Sequence, residues 1–462
     1  MTASTARRTP GPLPSLRRST RRSPGRSPGP AAGRSADGPS ADGLSAGPAP
    51  ASNVRPSRLD GLDLARGLAV LGMVVAHLGP PHPDFDWARP DTWVAVVDGR
   101  SAVLFALCAG VSLTLMTRPR PASDPSDPSD PSDPSAPEGL VVHRRRVLVR
   151  AVALFVLGSL LTVLDTPVQV ILPTYAVCFV ATIPLLRART RTVAGVGAAA
   201  LVTGPVCTAV GRSVLHDASD PLVHGVLLGA YPGITWWGVV LVGLVVGRLP
   251  LRRTRVHLLL LATGVTAAVV GYGGGVLVRA ALGLPPGDTS ASGSASTGPG
   301  TAGAGSAGAG SAGTSPADAG PHLVPQGGGT VERPGVDWAG LTSVQPHAGS
   351  TPELLGALGV ALAVLALSLL AARRAGVLLA PVRAVGALAL TVYAAHIVVY
   401  AALDATGDGH WHTGWTATLL VVVGAGLVAT PWRRWIGTGP LERLVRRTSR
   451  SLDGPGPRSR PH

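Results

Sequence analysis

Arg66 and His77 stand eleven residues apart in a stretch, Leu62 to His77, whose other members apart from Asp63 are apolar or glycine. At about 100° per residue, that spacing is three turns plus roughly 20°, so a helix carries both on one face, about 16 Å apart along its axis. The permanent guanidinium suits an anionic group, and the imidazole can serve as base, acid or nucleophile. Asp63 precedes Arg66 by three residues, the spacing of an ion pair within a helix. Ionisable groups in an apolar helix are costly and face the protein interior. A plainer reading stays open, in which Asp63 and Arg66 anchor the helix end and His77 makes an interhelical hydrogen bond.

Other residues have the right chemistry. Tyr393, His396 and Tyr400 share a helix face, with His396 expected at a depth similar to His77. The alternative is a pair of interfacial tyrosines and a structural histidine. Arg100 opens an apolar block at its outer end, where it either snorkels or binds an anionic acceptor or oxyanion. His347 lies just before another block, as an acceptor contact or a plain loop residue. Arg146 and Arg150 sit at a block entry, where they either contact phosphates or serve the positive-inside bias. His77, His347 and His396 are scattered and have no carboxylate ligand pattern, so no metal site is expected. No phosphate-cradling glycine loop occurs. Cys108, Cys178 and Cys207 each fall inside an apolar block without metal-ligand spacing.

The elements that must position these residues are apolar blocks near 62–80, 94–116, 147–164, 167–186, 193–211, 226–247, 256–283, 353–372, 379–403 and 413–431. A bilayer core needs about 20 apolar residues per helix. Of the 462 residues, 46% are hydrophobic and 14% charged, well below the quarter or so charged in soluble domains. The expectation is an all-α, polytopic membrane bundle of about ten transmembrane helices. No short cleavable signal region precedes the first block, which is expected to insert as an uncleaved anchor. All 40 basic side chains are Arg. They gather in the tails and in alternate loops, such as Arg144 to Arg146, Arg187 to Arg191 and Arg252 to Arg255. The opposite loops carry Asp84, Asp86, Asp165, Asp217 and Asp404. This asymmetry predicts both termini in the cytoplasm, in a cell inner membrane, and it argues against nucleic acid as the target of the +15 charge.

Residues 1–57 are rich in Arg, Pro, Ser and Gly and read as a disordered cytoplasmic tail, as do residues 446–462. Residues 58–445 form the expected membrane domain. It is interrupted by low-complexity inserts at 118–140 on the cytoplasmic side and 285–350 outside.

The run Arg66-Gly67-Leu68-Ala69, followed by His77, resembles the first helix of the transmembrane acyltransferase superfamily, including acyltransferase family three. Asp98-Gly99-Arg100-Ser101 with Gly110-Val111-Ser112 is similar to the second helix of its heparan-alpha-glucosaminide N-acetyltransferase branch. Ile171 to Ala176, Leu390 to His396 and Gly439-Pro440-Leu441-Glu442-Arg443 extend the resemblance over most of residues 58–445. It implies transfer of an acyl group, acetyl in most members, from cytoplasmic acyl-CoA to an extracytoplasmic glycan or other envelope acceptor, with no permanently bound cofactor. It also implies a catalytic role for His77 and a donor-side role for Arg66. His396 is the second catalytic candidate, Arg146 and Arg150 join Arg66 toward CoA, and Arg100, His347 and Tyr393 face the acceptor. The competing reading is a proton-coupled transporter or flippase for a small solute or envelope lipid, since intramembrane Arg and His suit that role too. A scaffold using its tail is a third.

Overall fold

In the computed structural model, described for residues 59–82, 85, 86, 88–117, 137–215, 223–285, 335–374, 377–406 and 414–451, the regular structure is entirely helical. All of it falls within the unit Arg58–His462. The helices are α1 (Asp60–Leu78), α2 (Arg100–Thr117), α3 (Pro137–Thr162), α4 (Leu172–Thr182), α5 (Thr190–Val214), α6 (Gly233–Arg248), α7 (Thr254–Ala268) and α8 (Gly274–Ala281), then α9 (Thr351–Ala371), α10 (Ala380–Ala387), α11 (Ala389–Asp404), α12 (Trp415–Trp435) and α13 (Pro440–Ser451). The 1–57 tail, the greater part of both inserts and residues 452–462 lie outside the described residues. The edges of those stretches are structured. Residues 446–451 belong to α13, and a 3-10 turn, Gly340–Thr342, precedes α9.

Among the described residues, six helices are long and apolar enough to cross a membrane, or seven if α10 and α11 count as one broken span. The protein is a multi-pass membrane protein. Every apolar block contains a helix, yet three miss the criterion for physical reasons. Arg144, Arg145, Arg146 and Arg150 charge the middle of α3. The apolar helices Leu172–Leu185 and Gly233–Arg248 fall short of the 30 Å or so of a bilayer core at about 1.5 Å per residue. The link after α3 turns at Asp165, whose φ of 51° lies in the left-handed region that aspartate tolerates.

Close approach of backbones holds the bundle together. A Cβ on Gly110 of α2 would lie 2.9 Å from the Gly243 Cα of α6, and the reverse substitution would leave 3.0 Å. Gly264 of α7 and Gly359 of α9 oppose each other in the same way. On α1, Gly67 lies against the Val382 carbonyl, and Gly386 of α10 lies against the Asp63 carbonyl. Small residues are the usual means of such crossings in lipid, where dispersion and close packing replace the hydrophobic effect. Burial identifies the centre: 67% of the α1 window is inside the protein, against 17% for α12. The exposed Leu419, Leu420, Val423 and Leu427 give α12 an apolar outer face.

Candidate functional site

The Arg-rich end of α1 carries a network of charges. Arg66 Nη1 lies 3.2 Å from Asp63 Oδ1, the pairing expected of their spacing, and Arg66 Nη2 donates to the Ser112 hydroxyl of α2. Asp60 pairs with Arg383 at 3.1 Å, and Arg433 lies 3.6 Å from Asp63 and 3.7 Å from Asp60. These contacts tie α1 to α10 and α12.

Above this network is a cavity of about 130 Å³. Arg66, Ser112, Arg150 and Glu442 give it polar walls, and Phe105, Tyr175 and Phe179 lie among its apolar ones. Phe105 stands two turns of α2 beyond Ser112, at the far side of the cavity from the arginines. Its ring stacks on Tyr393 (centroids 6.0 Å, 12° between planes) and packs against Tyr175 at 5.8 Å. Tyr175 and Tyr393 are both fully buried. The Tyr175 hydroxyl donates to the Ala102 carbonyl, and the Tyr393 hydroxyl accepts from the Ile171 amide, so the layer is fixed on α2, α4 and α11.

The two candidate histidines meet beyond that layer. His77 Nδ1 lies 3.1 Å from His396 Nε2, and the rings stack with centroids 5.4 Å apart. One nitrogen of that pair donates and the other accepts. Tyr393 presents an edge to His396 at 5.2 Å. His396 is buried, whereas His77 is half-buried. A chain of side-chain contacts thus leads from the cavity wall at Phe105 through Tyr393 and His396 to His77, while Arg66 lines the cavity itself.

A second polar cluster lies around the start of α9. Arg100 donates from Nε to the Tyr272 hydroxyl at 2.9 Å and sits over that ring at 4.9 Å. Tyr272 belongs to the π-helical segment Val269–Gly273 between α7 and α8. His347, at φ 64°, meets the Tyr231 ring edge-on at 6.4 Å. With Gly99, Trp236 and the buried Glu353, it lines a cleft of about 10 Å³, the size of one water. Arg100 and His347 thus belong to this cluster, while Tyr393 belongs to the layer beside the histidine pair. Arg150 lines the cavity and reaches the Met116 sulfur; Arg146, one turn earlier on α3, does not line it. Among the described residues, no three His, Cys, Asp or Glu side chains are grouped to hold a metal ion.

Several participants escape sequence reasoning. Ser112 and Glu442 appear in the motifs quoted above, and Phe105 lies between two of them, but nothing in their spacing gives them a task. Glu353 had a readable signal: the Ser350-Thr351-Pro352-Glu353 spacing is that of a capping box, and Ser350 does cap α9, accepting from the Glu353 amide at 3.1 Å.

Residues 58–274 match the family described as heparan-alpha-glucosaminide N-acetyltransferase, catalytic. That match covers a little under half of the chain. The family domain holds α1 to α7, and with them Arg66, His77, Arg100 and Arg150. Residues 338–451 match a family of proteins of unknown function, DUF418. That second region holds His347, Glu353, Tyr393, His396 and Glu442. The histidine pair thus joins the acetyltransferase-like domain to the region of unknown function. No curated protein and no solved structure shows a significant match to the chain.

Proposed function

We propose that the protein is a membrane acetyltransferase that takes its acyl group from cytoplasmic acetyl-CoA and delivers it to a glycan or other envelope acceptor on the far side. The observation that carries this reading is the His77–His396 pair, separated by one aromatic layer from a cavity walled by Arg66 and Arg150. The family match of residues 58–274 supports the reaction class.

The cavity volume bears on what enters. Sites for drug-sized ligands run from about 300 to 1,000 Å³. A cavity of about 130 Å³ accommodates the acetyl thioester and the end of its arm, leaving the nucleotide at the cytoplasmic mouth. Arg66 and Arg150 orient that arm and its anionic end. This assignment rests on ten crossings with both termini in the cytoplasm of an inner-membrane protein, which places the arginines on the donor side and His77 toward the acceptor.

In the reaction, the acceptor nitrogen or oxygen bonds to the acetyl carbon, the carbon–sulfur bond breaks, and the acceptor proton ends on the CoA sulfur. His77 takes part in one of two ways. It carries the proton as a general base, or its Nε2 accepts the acetyl group, releases CoA thiol and passes the group on. His396 holds His77 Nδ1 at 3.1 Å in both, which keeps Nε2 directed at the substrate. Arg100 and His347 serve the acceptor.

The experiment is incubation of purified protein with acetyl-labelled CoA, with and without envelope extract, beside His77→Ala. Label on the wild-type chain that is lost in the variant supports the carrier route. Label on the extract alone supports the base route. Absence of both CoA binding and labelling overturns the proposal.

A further inference from the structure

We infer that Glu442 is a positioning residue: from α13, it caps the broken start of α11 and thereby sets Tyr393 and His396 against His77. The inference rests on the acetyltransferase reading for its kinetic half only.

α10 and α11 meet at 87° across Leu388. Such a break leaves the first amides of the new helix without partners in their own helix. The backbone N–H of Leu390 donates to Glu442 Oε1 at 2.8 Å, and that of Thr391 donates to the same oxygen at 3.1 Å. The Thr391 hydroxyl donates to Glu442 Oε2 at 2.6 Å and accepts from the Leu441 amide at 3.3 Å. One carboxylate from a distant helix thus does the work normally done by a local cap residue, and its charge suits the positive end of the α11 dipole. Leu388, the residue at which a local cap side chain would stand, has none to offer.

Tyr393 and His396 follow within the first two turns of α11. A slip or rotation there moves the Phe105–Tyr393 stack and the His396 contact to His77 together. Glu442 also lines the cavity with Arg66 and Arg150, so its charge is a second candidate for its importance. The two explanations separate cleanly. A cap needs a hydrogen-bond acceptor, which glutamine supplies; a counter-charge needs the carboxylate.

The test uses the full-length protein in micelles, with Glu442→Ala, Glu442→Gln and Thr391→Val. Hydrogen exchange is followed in peptides covering the first turn of α11, together with acetyl-CoA affinity and kcat. Glu442→Ala is expected to speed exchange there by about fivefold to tenfold and to lower kcat by a similar factor, with acetyl-CoA affinity held within about threefold. Glu442→Gln is expected to restore most of both, and Thr391→Val to fall between. Unchanged exchange in Glu442→Ala overturns the cap. Glu442→Gln as defective as Glu442→Ala, or a loss of affinity in place of kcat, overturns positioning in favour of charge. A wild-type chain that neither binds acetyl-CoA nor transfers acetyl overturns the acetyltransferase reading and the kinetic half with it; exchange then decides the cap by itself.

Discussion

His77 of α1 and His396 of α11 lie 3.1 Å apart, nitrogen to nitrogen, across 319 positions of sequence. Each belongs to a different family match, and each is flanked by apolar helix. Their meeting converts two isolated imidazoles into a directed pair, with the buried His396 behind and the half-buried His77 in front. The pair divides labour unequally under the acetyltransferase reading, and that division can be measured.

On the acetyltransferase reading, His77→Ala removes the reacting nitrogen. Acetyl transfer should fall by about 10²- to 10⁴-fold, the range for a general acid–base group. His396→Phe keeps a stacked ring and loses one hydrogen bond, worth about 1 kcal/mol, so the loss should be nearer fivefold. Transfer of labelled acetyl measures both. Equal losses would remove the distinction between a reacting and an orienting histidine.

Arg66 and Arg150 share the cavity wall, and Arg146 does not. Hydrogen bonds to charged groups contribute about 1.5–3 kcal/mol, so Arg66→Ala and Arg150→Ala should each weaken acetyl-CoA binding by about tenfold to a hundredfold. Arg146→Ala should change it by less than about threefold on the same scale. Calorimetric titration distinguishes them, and a loss at Arg146 equal to that at Arg150 would contradict the cavity as the donor site.

Gly386 faces the Asp63 carbonyl so closely that a Cβ cannot fit unless α10 shifts. Gly386→Ala should therefore cost about 1–3 kcal/mol as overpacking and shift α10 away from α1. Gly195 of α5 has no neighbour within 4 Å of an added Cβ. Gly195→Ala should be neutral or stabilising by up to about 1 kcal/mol, from the gain in helix propensity. Thermal unfolding in detergent gives the comparison, and equal midpoints for the two variants would be evidence against the tight α1–α10 seam.

Alternating arginine loops imply an orientation. A periplasmic-type reporter joined after residue 310 should be active, and one joined at the C-terminus should be silent, with a cytoplasmic reporter giving the reverse. Both fusions reporting the same side would undo the ten-crossing arrangement and the donor-side assignment of Arg66.

Legibility followed the range of the interaction. The Asp63–Arg66 pair and the common face of Arg66 and His77 are local consequences of helical spacing, and both could be read directly. The apolar blocks each acquired a helix, since apolar length is also local. The number of full spans was less legible. Charge on α3 and the shortness of α4 and α6 leave, among the described residues, six or seven helices that meet the length and composition of a crossing. The tail assigned from composition at 446–462 begins inside α13, because Val445 and Glu442 have partners in the bundle that composition cannot register.

By itself, the sequence determined the all-helical membrane class, the small residues available for close crossings, and the one-sided display of Arg66 and His77. These depend on side-chain chemistry and a fixed helical period. Tertiary structure alone decided that His396 is the partner of His77, that Phe105 and Tyr175 wall the arginine cavity while Tyr393 stacks behind Phe105, and that Glu442 caps α11. Each of those contacts joins helices distant in the chain, and no periodicity within one helix specifies which face of another it will meet.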